Sequence, residues 1–303
     1  VTPTVLPRHV RHGATATGQF GLEISAETAG WGYSGLRVLS LDAGGQATFA
    51  TGDDEVIVLP LSGSGTVTCD GEMVTLQGRP SPFAAVSDFA YLPRDATATV
   101  ESATGGRFAL PSARATQRLP FRYGAAVDVP VELRGAGQAS RQVNNFCAPD
   151  AFAADRLIAV EVLTPGGNWS SYPPHKHDVE SDTESALEEI YYFEVADAPK
   201  SRPGVGRAYQ RVYPSGPDRM IDVCVEVATG DVVLIPHGYH GPSMAAPGYD
   251  LYYLNVMAGP GERVWRFCDD PRHAWIRDSW DGVPVDPRLP LTTANTKDSE
   301  VRE

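Results

Sequence analysis

The chain has 303 residues, enough for two domains of ordinary size that each bury a core without staples. Its 38 Asp and Glu residues outnumber 25 Lys and Arg, and the net charge of −13 repels phosphate backbones and anionic surfaces, which argues against nucleic-acid and membrane partners. No window approaches the roughly 20 apolar residues of a membrane span, the opening VTPTVLPRHVRHG lacks the apolar stretch of a secretion signal, and Cys69, Cys147, Cys224 and Cys268 show neither a CxxC pair nor a disulfide framework. A cytoplasmic protein with reduced thiols is expected.

The 30 Gly and 25 Pro residues punctuate short apolar runs rich in Val, Tyr and Phe, the grammar of strands and turns, so the expected class is all-β. In the first half, DEVIVLPL (Asp54 to Leu61) runs into SGSGTV and is followed some thirty residues later by DFAYLP. The uncharged, Gly-rich GAGQAS marks a boundary, which divides the chain into 1–138, 139–275 and a tail, 276–303. The best helical candidate, PDAFAADR, is a short turn leading into the strand LIAVEVL. In the second half EEIYYFEV is followed by GDVVLIP, so in both halves an acid opens one strand and a Leu-Pro or Ile-Pro pair closes a later one. That echo predicts a duplicated barrel. From about Thr292 the tail is polar and expected to fray.

The chemistry centres on PPHKHD. Successive side chains of a strand point to opposite faces, so His175 and His177 share one face while Lys176 points away. Eleven residues separate His177 from Glu189, which shares its face with Tyr191 and Phe193. A carboxylate on an apolar barrel face is costly to bury unless paired or coordinated, which makes Glu189 the third candidate ligand. Glu188 has the opposite parity and belongs with the acidic loop DVESDTESALE, expected to be solvated. GDVVLIPHGYH supplies His237 and His240, of which His240 is preferred because the HGY turn can carry it over the barrel mouth. His9, His12 and His273 are expected to be structural or exposed. Three imidazoles and a carboxylate around an open position suit Zn²⁺, Mn²⁺, Fe²⁺ or Ni²⁺ alike. The first half has no His at corresponding positions and is expected to be a metal-free, structural barrel.

These segments resemble the two motifs of the cupin superfamily: HxH followed by Glu, here with a longer gap, and Gly230, Pro236, Gly238 and His240, one residue tighter than usual. The strings WSSYPPHKHD, LEEIYYF, LIPHGYH, PGYDLYYLNVMAG and DDPRHAWI narrow the resemblance to the 5-deoxy-glucuronate isomerase family, bicupin enzymes of bacterial inositol catabolism related to 4-deoxy-5-threo-hexosulose-uronate ketol-isomerase. His237 stands where an acidic residue is usual, and Gly241 where a proline is. The resemblance implies two tandem jelly-roll-like barrels and one divalent ion on His175, His177, Glu189 and His240. It also implies conversion of the aldose 5-deoxy-D-glucuronate to the ketose 5-dehydro-2-deoxy-D-gluconate, with a small sugar acid as partner and a homo-oligomer left open.

Such a reaction moves a proton between neighbouring carbons through an enediol whose charge a divalent ion would stabilise. Glu189, Tyr172, Tyr252 and His237 are the candidates for the proton shuttle. Arg211, Arg263 and Lys176 are the candidates for the substrate carboxylate. Tyr191, Phe193, Tyr252 and Tyr253 divide between core and pocket. A metal-dependent dioxygenase and a non-enzymatic sugar-binding bicupin are the alternatives.

Overall fold

The structure, a computed structural model, describes residues 5–197 and 202–294. Among these the only α-helix is Ala26–Ala29, capped by Ser25 and ended by Gly30. The expected helical turn at PDAFAADR is a single hydrogen-bonded turn that goes no further. The amides of Ala151 and Phe152 both turn back to the Ala148 carbonyl, and those of Asp155, Arg156 and Leu157 donate to the Glu55 carboxylate instead of continuing a helix.

Nine strands between Phe20 and Gly124 form one curled sheet. Its pivot is the long strand Asp54–Cys69, which pairs first with Phe89–Leu92 and Gly106–Arg114 and then with Glu72–Arg79 and Thr97–Ser102. Leu39, Val58, Val67, Leu76, Val100 and Phe108 fill the barrel it encloses. The second barrel has two sheets. One orders His9–Val10, Val232–Ile235, Glu188–Val195, Leu251–Ala258, Ile158–Thr164, Arg141–Cys147 and Val131–Arg134. The other orders Val223–Val227, Ala208–Tyr213, Tyr239–Ala245, His175–Lys176 and Cys268–Asp269, with Trp169–Ser170 also on Tyr239–Ala245. Sheet membership changes between Gly124 and Val131, and the strand His9–Val10 lies in the second barrel.

The echo between the halves is exact in register. Val56 lies opposite Leu92 and Glu189 opposite Ile235, each partner preceding a proline, Pro93 or Pro236. Glu55 lies opposite Ala113 and Glu188 opposite Ala258. Glu55 therefore corresponds to Glu188, and the place of Glu189 is taken in the first barrel by Val56.

A large apolar cluster lies between the barrels. Ile57, Leu59 and Leu61 of one half share it with Ile190, Tyr192, Tyr252, Leu254 and Val256 of the other. The alternate residues Tyr191, Phe193, Leu251 and Tyr253 point into the second barrel. A strand buried on both faces needs apolar side chains throughout, which is why LYYLNVM shows no alternation. Each large side chain so buried contributes roughly 1.5–3 kcal/mol.

Two carboxylates clasp the halves reciprocally. Glu55 accepts the Tyr91 hydroxyl at 2.6 Å and the amides of Asp155, Arg156 and Leu157 at 2.8, 2.6 and 2.7 Å. Glu188 accepts the amides of Gly32, Tyr33 and Ser34 at 2.6, 2.8 and 3.0 Å. Its expected place in a solvated loop is thus corrected: three backbone N–H groups of the other half need an acceptor, and Glu188 supplies it. Arg79 of the first half forms a fully buried pair with Glu161 of the second, which also accepts from Asn144 at 3.0 Å and Tyr252 at 2.9 Å.

The expectation of fraying from about Thr292 is corrected for residues 292–294 alone. Thr292 is buried, its oxygens take the Gln142 side-chain amide, and Ala294 bridges to Val86. Residues 295–303 lie outside the described residues.

Candidate metal centre and cavity

The centre forms where the two sheets of the second barrel face each other. His175 lies directly opposite His240 on one sheet, and Glu189 projects inward from the other. One ring nitrogen each of His175, His177 and His240 lies within 4.8 Å of the other two. Glu189 Oε2 is 3.2 Å from His177 Nε2 and 2.9 Å from His240 Nε2. These contacts have ion-pair length without hydrogen-bond geometry: both Glu189 oxygens and both Nε2 atoms are buried and lack hydrogen-bond partners. Buried polar atoms are rarely left so, and atoms converging in this way suit a shared cation.

The opposite ring nitrogens set the tautomers. His175 Nδ1 lies 3.4 Å from the Pro173 carbonyl, His177 Nδ1 3.2 Å from Leu187 and His240 Nδ1 3.2 Å from Gly238. A carbonyl only accepts, so each Nδ1 carries a proton and each ring turns its Nε2 toward the centre, where it can bind a cation. Burial alone would raise the Glu189 carboxyl, but His240 and His177 beside it hold it well below the usual range. Burial, followed by repulsion from His240 and His177, pushes His175 well down. Donor set, geometry and charge all fit a divalent metal ion.

The long loop from the HxH strand to Glu189 is ordered. The near-buried Glu184 takes Lys176 Nζ at 2.7 Å on both oxygens and accepts the amides of Asp178 and Val179. Asp178 in turn accepts the Gly238 amide at 2.8 Å, tying this loop to the turn that carries His240.

That turn also explains Gly241. Its φ is +110°, and a Cβ there would meet the Ser171 carbonyl oxygen at 1.8 Å, so a proline cannot stand in its place. Gly241→Ala is expected to lose about 1–3 kcal/mol through backbone strain alone, and to displace His240. Urea unfolding and metal content per chain measure both, and an unchanged variant would show that the turn does not set the ligand.

A cavity opens beside the centre, lined by His175, Tyr191, Tyr253, Asn255, Arg134, Arg141 and Arg277, with Trp265 and Phe267. Tyr191 stacks on Tyr253 at 4.7 Å, and its hydroxyl lies 3.0 Å from Ser171 Oγ. Burial raises its hydroxyl well above the ordinary tyrosine range, so it stays protonated.

Several residues singled out in the sequence lie elsewhere. Tyr252 is on the outward face of its strand, with its hydroxyl on Glu161. Tyr172 packs edge-on against Trp169 and lines a separate cleft with Trp280. His237 is half-buried outside the cavity lining, its Nδ1 without a hydrogen-bond partner. The three cations expected at the substrate carboxylate are engaged away from the cavity: Lys176 with Glu184, Arg211 with Asp222 and the Val212 and Val223 carbonyls, and Arg263 with the carbonyls of Leu157 and Cys147. Each is held by acceptors that do not line the cavity. His9 pairs with Asp231 at 3.1 Å, and neither His12 nor His273 joins the cluster.

Sequence reading passed over Arg134, Arg141, Arg277, Asn255 and Trp265. A signal existed for two of them. Asn255 is the polar residue in LYYLNVM on the parity of Tyr253, and Arg141 shares parity with Val143 in the strand Arg141–Cys147, which pairs with Val131–Arg134 in the second barrel.

Two tandem barrels, with a histidine-lined centre in the second, define the protein as a bicupin. The KduI/IolB family matches residues 8–276, and the chain belongs to that family. It is 41% identical over 261 residues to 5-deoxy-glucuronate isomerase of Geobacillus kaustophilus, an alignment covering 85% of this chain and 91% of the relative. The crystal structure of an IolB-like protein from Salmonella typhimurium superposes with a TM-score of 0.80 at 38% identity, covering 88% and 98% of the two chains. Lactobacillus farciminis oxalate decarboxylase shares the fold at a TM-score of 0.59 and 12% identity, with 88% and 89% covered. The protein is an isomerase of the intramolecular oxidoreductase type.

Proposed function

We propose that the protein converts 5-deoxy-D-glucuronate to 5-dehydro-2-deoxy-D-gluconate, an aldose–ketose isomerisation in myo-inositol catabolism, and that it acts in the cytoplasm. The observation that carries this reading is the 37–41% identity to relatives named 5-deoxy-glucuronate isomerase over 84–85% of the chain. His175, His177, Glu189 and His240 would hold one divalent ion, which when bound would polarise the substrate's neighbouring carbonyl and hydroxyl oxygens. The reaction is internally balanced. The C2 proton goes to C1 and the C2 hydroxyl proton to the C1 oxygen, so that the C1 aldehyde becomes CH₂OH, the C2 carbinol becomes a ketone, and no co-reactant is consumed.

The residues around the centre serve that chemistry by orienting and by excluding water. Tyr191, kept protonated by burial, presents a hydroxyl donor in the cavity. Of the four shuttle candidates, Glu189 alone lies among the histidines. Tyr253 and Phe267 wall the cavity and limit hydration of the substrate's reacting end.

The test is incubation of protein reconstituted with Zn²⁺, Mn²⁺, Fe²⁺ or Ni²⁺ with 5-deoxy-glucuronate under argon, with ketose formation followed by NMR. Turnover without oxygen is expected. A strict need for oxygen, or binding without conversion, would overturn the reading in favour of a dioxygenase or a sugar-binding protein.

A further inference from the structure

Three arginines line the cavity, but their surroundings differ. Arg134 Nε and Nη2 are held by the Glu132 carboxylate at 2.9 and 2.7 Å, and Arg277 is held by Asp269. Arg141 has no carboxylate within 4.0 Å among the described residues, although it is only 5% exposed. Its Nη1 donates to the Ala139 and Tyr172 carbonyls at 3.0 and 3.3 Å, and no protein acceptor among the described residues takes Nε or Nη2. Burial pushes its guanidinium down to about 10. A buried cation without a counter-ion is expensive, and the expense is offset when an anion enters.

Two further buried groups in the same lining are unpartnered. Asn255 is 3% exposed, and its Oδ1 accepts no hydrogen bond; Trp265 Nε1 donates none. The strand register places Arg141 and Asn255 around one space, and Trp265 lines the same cavity from the loop after Ala258. Val143, two residues from Arg141, lies opposite Val162, Val162 opposite Tyr253, and Asn255 opposite Tyr191. The cavity therefore offers a fixed cation, a hydroxyl acceptor and an N–H donor on one side and His175 on the other.

We propose that Arg141 receives the carboxylate of the acyclic sugar acid through its Nε and Nη2 edge, with Asn255 and Trp265 taking chain hydroxyls, so that Arg141 selects acidic over neutral sugars. This rests on the sugar-acid reading above and names the residue that enforces it. Planar, two-point recognition of a carboxylate is what a guanidinium does better than an ammonium, so lysine is expected to substitute poorly.

The experiment compares wild type, Arg141→Lys and Arg141→Gln, each checked for metal content, on 5-deoxy-glucuronate and on 5-deoxy-glucose, its neutral counterpart. Arg141→Gln is expected to raise KM for the acid by about 100-fold, Arg141→Lys by less, while kcat/KM for the neutral aldose changes little. An unchanged KM for the acid, or equal losses on both sugars, would overturn the proposal. Should the wild type convert neither sugar, the functional reading fails by itself, and calorimetry with gluconate then tests Arg141: binding to wild type that Arg141→Gln loses supports the anion site, and equal binding or none to either overturns it.

Discussion

Replacing His175 and His177 together by alanine is expected to leave a folded protein that retains no stoichiometric divalent metal and turns over at least about 10³-fold more slowly, a loss of several kcal/mol of transition-state stabilisation. The expectation follows from where the four side chains point. Glu189 and His240 are buried, with Glu189 Oε2 and His240 Nε2 2.9 Å apart and neither hydrogen-bonded. Two remaining ligands do not complete a metal shell of the usual three or four protein ligands. Folding should survive, because the rings' other nitrogens bond only the carbonyls of Pro173 and Leu187. Elemental analysis after dialysis reads the metal, and circular dichroism the fold. Full metal retention in the double variant would refute the assignment.

Arg79→Met is expected to have the largest effect on stability, about 3–5 kcal/mol, because it strands Glu161 as a buried charge. Both members of the pair are essentially inaccessible. The Asn144 and Tyr252 bonds to Glu161 remain but cannot replace a cation. Pairing the change with Glu161→Gln is expected to recover much of the loss, since the desolvation penalty disappears with the charge. The urea unfolding midpoint of both variants decides it. If the single variant is as stable as wild type, the buried pair does not hold the barrels together.

Much of this arrangement was legible in the sequence for reasons that can be named. Strand parity separates Glu189, which points into the second barrel, from Glu188, which points at the first, and the HxH spacing puts two imidazoles on one face. The acid-strand and strand-Pro echo marks the duplication that the register later makes exact. What parity cannot reveal is the partner across a distant contact. Parity puts Arg141 on the inner face with Val143, but nothing local distinguishes Arg141, which lacks an acid, from Arg211, which has Asp222 just before the neighbouring strand, so the missing counter-ion was out of reach. Glu188 looked like part of a solvated loop because its acceptor role belongs to amides about 155 positions away. The PDAFAADR segment has helical composition, yet its amides are taken by Glu55 from the other half, a tertiary bond that overrides local propensity.

The strand His9–Val10 also has consequences for how the molecule comes into being. It closes the edge of the second barrel beside Val232–Ile235, the strand that runs directly into the turn bearing His240, and His9 reaches Asp231, 222 positions later. During synthesis His9–Val10 is made more than 220 residues before its sheet partner, so this edge of the second barrel can be sealed only after Val232–Ile235 has emerged. A change in this short strand would therefore be felt first more than 220 positions further on, in the maturation of the turn that carries His240.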